Sequence, residues 1–196
     1  MAEQETSEQL AARFDARAAT YDESEMHRLL ASSVAEFVDI AGVRDVLDAA
    51  TGTGLILRVL RPRLGDDARF TGVDLSRGML EIARGRTPGA TFVEGDATRL
   101  PFADSSFDLI TCVTGIHLMP DAVTALREWA RVLRPRGRMV IATFTSASAM
   151  TWGHVVTLSD EAPAAGLTVL RSSEWPAQTH SKFPDLEIAE LAATTG

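Results

Sequence analysis

The chain has 196 residues, 45% of them hydrophobic, enough for one globular domain with a real core. No apolar run approaches the ~18 residues a membrane span needs. A formal charge of −8 argues against a nucleic-acid partner, because phosphate-backbone binding rests on clustered Lys and Arg. One cysteine, Cys112, excludes an internal disulfide and any multi-cysteine metal site. The polar, acidic start from Met1 to Glu8 is unlike a secretory signal, so a cytoplasmic protein is expected.

Leu10, Phe14 and Ala18 repeat at four-residue spacing and predict a helix over 7–20, followed by Tyr21. Leu30, Val34, Phe37 and Val38 predict a second over 26–41. The first strand is Asp45–Ala49, and a helix from Thr53 to Leu60 ends near Pro62 and Gly65. Arg69–Val73 is a strand ending at Asp74, and Ser76 is the expected N-cap of a helix reaching Arg84. Thr87-Pro88-Gly89 makes a turn before a third strand, Thr91–Glu94. A loop from Leu100 to Ser106 leads to a buried strand, Phe107–Val113. Asp121 caps a helix over Ala122–Arg134 with Leu126, Trp129 and Leu133 inward, and Pro135-Arg136-Gly137 stops it. Arg127, Glu128 and Arg131 read as its solvated face. A strand at Arg138–Phe144, a helix near Val155–Ala162, and strands near Leu167–Ser172 and Leu186–Ala192 complete the chain. The alternation predicts an α/β fold: a doubly wound, mostly parallel seven-stranded sheet with an antiparallel edge strand and helices on both faces.

Such sheets bind ligands beyond the carboxyl ends of their strands. Polar residues fall at those ends: Asp48, Thr51, Gly52 and Gly54 after strand one, Asp74 after strand two, Asp96 after strand three, Thr114 and His117 after strand four. Gly52 lets a ligand approach bare backbone, and the helix starting near Thr53 offers free N–H groups. Asp74 lies twenty residues after Gly54, where an acid in these folds pairs with a ribose diol. Asp96 suits an exocyclic amine, and Asp48 either orients an ammonium group or braces the glycine loop. Together these acids fit a cationic, ribose-bearing ligand better than a pyrophosphate. His117 reads either as a base for an acceptor hydroxyl or as a histidine packed at the rim. Trp152, His154 and His180 are further acceptor-side candidates, with surface positions the simpler reading.

The chain resembles class I S-adenosylmethionine-dependent methyltransferases of the ubiquinone and menaquinone C-methyltransferase group. Val46-Leu47-Asp48-Ala49-Ala50-Thr51-Gly52-Thr53-Gly54 resembles their first motif, and Val73-Asp74-Leu75-Ser76 with Met79-Leu80 the ribose motif. Glu94-Gly95-Asp96-Ala97, Leu100-Pro101-Phe102 and Ser106-Phe107-Asp108 resemble the adenine motif and the loop before strand four. Leu133-Arg134-Pro135-Arg136-Gly137-Arg138 resembles the entry to strand five, and Phe14-Asp15 with Tyr21-Asp22 the N-terminal lid. The likeness covers about residues 10–145 and implies a Rossmann-like fold. It divides a single domain, 1–196, into a helical lid (1–41), a cofactor-binding core (42–145) and closing elements (146–196).

The resemblance implies S-adenosylmethionine as cofactor, with S-adenosylhomocysteine as product and no metal. Ala50, Thr51 and Gly52 would line its methionine part, with Asp48 behind. Asp74 would hold the ribose. Leu75 and Met79 would pack on the adenine, and Asp96 and Ala97 would meet its amine and ring. The backbone near Val113 and Thr114 would face the methionine amino group, and Tyr21 would close over it. Two departures stand out: Ala50 where the family has glycine, and only Thr145–Met150 after strand five where relatives carry a longer insert. The acceptor site is therefore expected to be shallow, or completed by the N-terminal helices or by a second subunit of a homodimer. The expected function is in-line methyl transfer to a small molecule. A non-catalytic S-adenosylmethionine-binding or regulatory protein is the alternative from another class. An NAD-dependent dehydrogenase fits less well, because Leu57 stands where the third glycine of the dinucleotide fingerprint belongs.

Overall fold

The computed structural model describes residues 5–145, 153–175 and 183–194. One sheet runs in the order β3-β2-β1-β4-β5-β7-β6. Its strands are β1 (Asp45–Ala49), β2 (Arg69–Asp74), β3 (Thr91–Glu94), β4 (Phe107–Val113), β5 (Leu133–Phe144), β6 (Leu167–Trp175) and β7 (Leu186–Ala193). β1 to β5 pair in parallel, whereas β7 lies antiparallel between β5 and the edge strand β6. β1 and β4 are neighbours, so the strand order reverses between them and opens a crevice at their carboxyl ends.

Among the described residues six α-helices accompany the sheet: α1 (Ser7–Asp15), α2 (Glu25–Phe37), α3 (Leu55–Leu64), α4 (Arg77–Arg86), α5 (Ala122–Val132) and α6 (Leu158–Ala164). Successive strand residues face opposite sides. Val46 accordingly packs with Leu30, Val34, Leu57 and Leu80 beneath α2, α3 and α4. Leu47 and Ala49 pack with Leu126, Trp129 and Leu158 beneath α5 and α6. All of β1 is buried, its two acids included, because both its faces are covered.

The departures from the sequence reading have identifiable physical causes. The helix expected over 7–20 breaks after Asp15, whose carboxylate accepts from Ser76 Oγ and Gly78 N, and the chain resumes as a 3-10 turn at Ala18–Glu23. α2 stops at Phe37 because Val38 turns extended and Asp39 accepts from Ala41 N in a side-chain-closed turn. α3 continues past Pro62 to Leu64, the proline falling in its last turn, and Gly65 ends it with a φ of 78°. β5 begins at Leu133, five residues before the expected Arg138. Leu133 pairs with Phe107, and a register shift lets Pro135-Arg136-Gly137 pass before Arg138 pairs with Leu109. Among the described residues, no helix is long and apolar enough to cross a membrane.

Candidate functional site

The crevice is built from turns that carry the sheet's hydrogen bonding past its strands. Thr51 N donates to Val73 O at 2.9 Å, Gly95 N to Asp74 O at 2.9 Å, and Thr114 N to Ala142 O at 2.9 Å. Ala50 and Thr114, just past the two central strands, take left-handed backbone with φ of 58° and 56°. Non-glycine residues hold that conformation only where the surroundings impose it, a pattern concentrated at functional sites. Ala50 thus occupies a conformation natural to glycine, which its sequence alone did not disclose.

Asp74 joins two of the turns. Its Oδ2 accepts from Gly52 N at 2.7 Å and its Oδ1 from Ser76 N at 2.8 Å. Burial raises its pKa above the ordinary value, opposed by those amides and reinforced by Asp15. Asp48 lies deeper, 1% exposed, and accepts from Thr111 Oγ1 at 2.7 Å. Burial pushes it up to about 7, and the Asp74 charge acts in the same direction. Asp96 Oδ1 accepts from both the N and Oγ1 of Thr98, each at 2.8 Å.

α5 fixes the loop that follows β3. Trp129 Nε1 donates to Ala97 O at 2.8 Å, Glu128 accepts from Leu100 N at 2.7 Å, and Arg131 donates to Phe102 O at 2.8 Å. Glu128 and Arg131 are therefore not the merely solvated positions their pattern suggested. They satisfy backbone groups of a loop without secondary structure of its own. Arg127 likewise donates to Ala164 O at 2.8 Å.

The N-terminal segment covers the crevice. Tyr21 stacks on His27 with ring centroids 4.2 Å apart and lies 6.4 Å from the Phe14 ring. Burial drives its phenol up to about 12, against the pull of a hydrogen bond with the Thr114 side chain. Beneath it lies a cleft that is partly open to solvent. Ala50, Gly52, Asp74, Leu75, Met79, Asp96, Ala97, Val113 and Thr114 line it, with Leu10, Phe14 and Tyr21 above and Leu118 and Met119 beside. A smaller adjoining hollow brings in Asp48, Thr51, Thr53 and His27, and Tyr21, Ala50, Gly52, Val113 and Thr114 face both spaces. Every residue proposed from sequence to touch a cofactor is thus gathered here. Neither lining contains an arginine or lysine among the described residues.

Among the described residues His117 is not in that lining and takes the packed position that was the other reading of it. It is 6% exposed, with its ring edge-on to Phe144 at 4.9 Å and its carbonyl accepting from His154 N at 3.0 Å. Its Nδ1 has no hydrogen-bond partner among the described residues. Burial lowers its pKa to about 4, helped by His154 and Arg13, so the ring is neutral near pH 7. Trp152 and His180 lie outside the described residues. The sequence reading gave no separate role to Asp15 and Asp22, which anchor the lid. The signal available was an aspartate directly after each lid aromatic, Phe14 and Tyr21.

Comparison with known proteins bears on what this crevice is. A family profile described as a methyltransferase domain matches residues 47–141. A demethylmenaquinone methyltransferase of Thermotoga maritima is 44% identical over 108 residues, 55% of this chain and 47% of that protein. This chain is therefore similar to methyltransferases over its central part. It spans about half the length of that curated relative. The same fold occurs in an S-adenosylmethionine-dependent methyltransferase from Aquifex aeolicus, with a TM-score of 0.74 and 18% identity over 90% of this chain and 97% of that one. It recurs also in the [4+2]-cyclase SpnF, with a TM-score of 0.79 and 18% identity over 98% of both chains. At such identities the two structures speak to the fold alone.

Two stability measurements test the site. Asp48 has a native pKa of about 7 against an ordinary 3.8, so the native state holds an extra proton between those values. Its contribution makes stability fall as pH rises from about 4 to about 7. Asp48→Asn should flatten that fall by up to ~1.4 kcal/mol per pH unit, read from urea midpoints across the window. Separately, a Cβ at Gly115 would lie 2.7 Å from Ala50 Cβ and 2.9 Å from Cys112 Sγ. Gly115→Ala should cost ~1–3 kcal/mol by overpacking. Adding Ala50→Gly should recover part of that loss, which a double-mutant denaturation cycle would reveal as coupling.

Proposed function

We propose that this chain binds S-adenosylmethionine across the β1–β4 crevice and transfers its methyl group to a small-molecule acceptor. The observation that carries the reading is a cleft lined by strand-end acids, with no arginine or lysine in its described lining. That donor set suits a cation with a ribose and disfavours a pyrophosphate. Leu57, fully buried under the sheet, leaves no third glycine for close approach to a dinucleotide.

Each residue then has a task. The Asp74 oxygens accept from the Gly52 and Ser76 amides and keep acceptor capacity for the ribose hydroxyls. Leu75, Met79 and Ala97 offer an apolar slot for the adenine, and Asp96 Oδ2, outside the Thr98 turn, is available to its amine. Ala50, Thr51 and Gly52 receive the methionine part, with Asp48 below and the Val113–Thr114 backbone toward the amino group. S-adenosylmethionine supplies a methyl group already made electrophilic by its sulfonium, so the reading requires no metal, and the need for a base to take up a proton depends on the acceptor. The protein's contribution is to align both reactants and keep water out.

Leu10 and Phe14 of the lid, with Leu118 and Met119, give the cleft an apolar wall for the acceptor. Residues 1–41 therefore serve as the lid of a single domain, completing the acceptor side without a second subunit. The Thermotoga maritima relative is named for demethylmenaquinone, which makes quinols the first acceptors to try. The same reading makes this a cytoplasmic enzyme without a nucleic-acid partner.

Calorimetry with S-adenosylmethionine, S-adenosylhomocysteine and NAD, followed by assay of S-adenosylhomocysteine release with candidate quinols, tests it. The first two ligands should bind and NAD should not. Asp74→Ala should weaken S-adenosylmethionine about 10- to 100-fold, as expected for losing a charged acceptor of hydrogen bonds. Undiminished affinity in that variant would overturn the assignment.

A further inference from the structure

Asp22 follows Tyr21 directly but does not line the cleft. Its Oδ1 accepts from Thr53 Oγ1 at 2.5 Å, and its Oδ2 accepts from Arg58 and, at 2.5 Å, from Arg86. Its main-chain carbonyl accepts from Arg28. Arg58 turns back to the Thr53 carbonyl, closing a small network. Thr53 belongs to the glycine turn after β1, Arg58 to α3 and Arg86 to the end of α4. One carboxylate, its side chain 14% exposed, therefore ties the lid to three parts of the cofactor-binding core. Charge-assisted bonds of this kind are about twice as strong as neutral ones.

The consequence falls on the neighbouring residue. Tyr21 is held from below by the His27 ring and along the chain by Asp22, and it faces both the large cleft and the smaller hollow. We propose that Asp22 is a positioning residue for the cofactor: by fastening the lid to Thr53, Arg58 and Arg86, it keeps Tyr21 across the junction of the two spaces. The inference rests on the cofactor reading above. It assigns Asp22 an effect on affinity that passes through Tyr21 rather than through the stability of α3.

Calorimetry with S-adenosylhomocysteine on wild type, Asp22→Asn, Tyr21→Ala and the double variant tests this. Asp22→Asn should bind roughly ten-fold more weakly. In the Tyr21→Ala background the same substitution should change affinity by less than about two-fold. Tyr21 is the only tyrosine in the chain, so 3-fluorotyrosine gives a single 19F resonance. That resonance should move on ligand addition in wild type, and in Asp22→Asn it should start nearer its solvent-exposed position. Arg86→Gln, which removes a side chain 45% exposed, should produce the same changes in smaller measure and decides the matter if Asp22→Asn does not fold. An equal loss of affinity with or without the Tyr21 ring overturns the inference, as does affinity in Asp22→Asn within about two-fold of wild type. If Arg86→Gln is the variant that decides, unmoved affinity and an unmoved resonance overturn it. Wild type that fails to bind at all overturns the cofactor reading itself, and that result is visible before any variant is made.

Discussion

The cleft depends on one carboxylate. Asp74 ends β2, yet its side chain takes an N–H from the turn after β1 and another from the start of α4, while its carbonyl takes the N–H of Gly95 after β3. Three turns that share no covalent constraint are thereby held to one geometry. Those amide donors would otherwise be orphaned at strand and helix ends. The lid is fastened to the same place, since Asp15 bonds to Ser76 Oγ and Gly78 N just beyond Asp74. A substitution at Asp74 therefore acts on the shape of the crevice as well as on any hydrogen bond it offers a ligand.

Much of this was legible in the sequence where the cause is local. β1 and β4 run between the residues their apolar runs mark, because a strand buried on both faces writes its limits into its own composition, and the edge strand β3 is bounded by its flanking turn residues. The strand-end polar residues converge because the parallel topology brings consecutive carboxyl ends to one rim. What escaped the sequence is what depends on partners far along the chain. The break after Asp15 is set by Ser76 and Gly78, more than sixty residues away. Glu128 and Arg131 have the pattern of a solvated helix face, and only the path of the 100–104 loop gives them backbone groups to satisfy. The side of its turn that His117 takes was hidden for a similar reason. The 3-10 turn Ile116–Leu118 directs it toward Phe144, and nothing in the local pattern fixes that direction.

The left-handed residues illustrate the intermediate case. Glycine where Ala50 stands would have announced the conformation; alanine conceals it. The methyl group is accommodated because Gly115 on the facing turn has none to oppose it. One methyl group, rather than two, therefore fills the contact between the turns after β1 and β4.

The buried acids give the cleft its chemical bias. Among the described residues Asp48 meets the Thr111 hydroxyl and no cation, and burial raises its pKa to about 7. A group so placed responds strongly to whatever charge arrives beside it. A cation in the adjoining hollow stabilises the ionised form and lowers the pKa, so its binding and the loss of the Asp48 proton favour each other. An anion there would meet the opposite response, together with repulsion from Asp74. The preference of the crevice for positive charge is therefore built into the ligand-free protein as an electrostatic deficit, which a hydrophobic isostere of the same shape could not relieve.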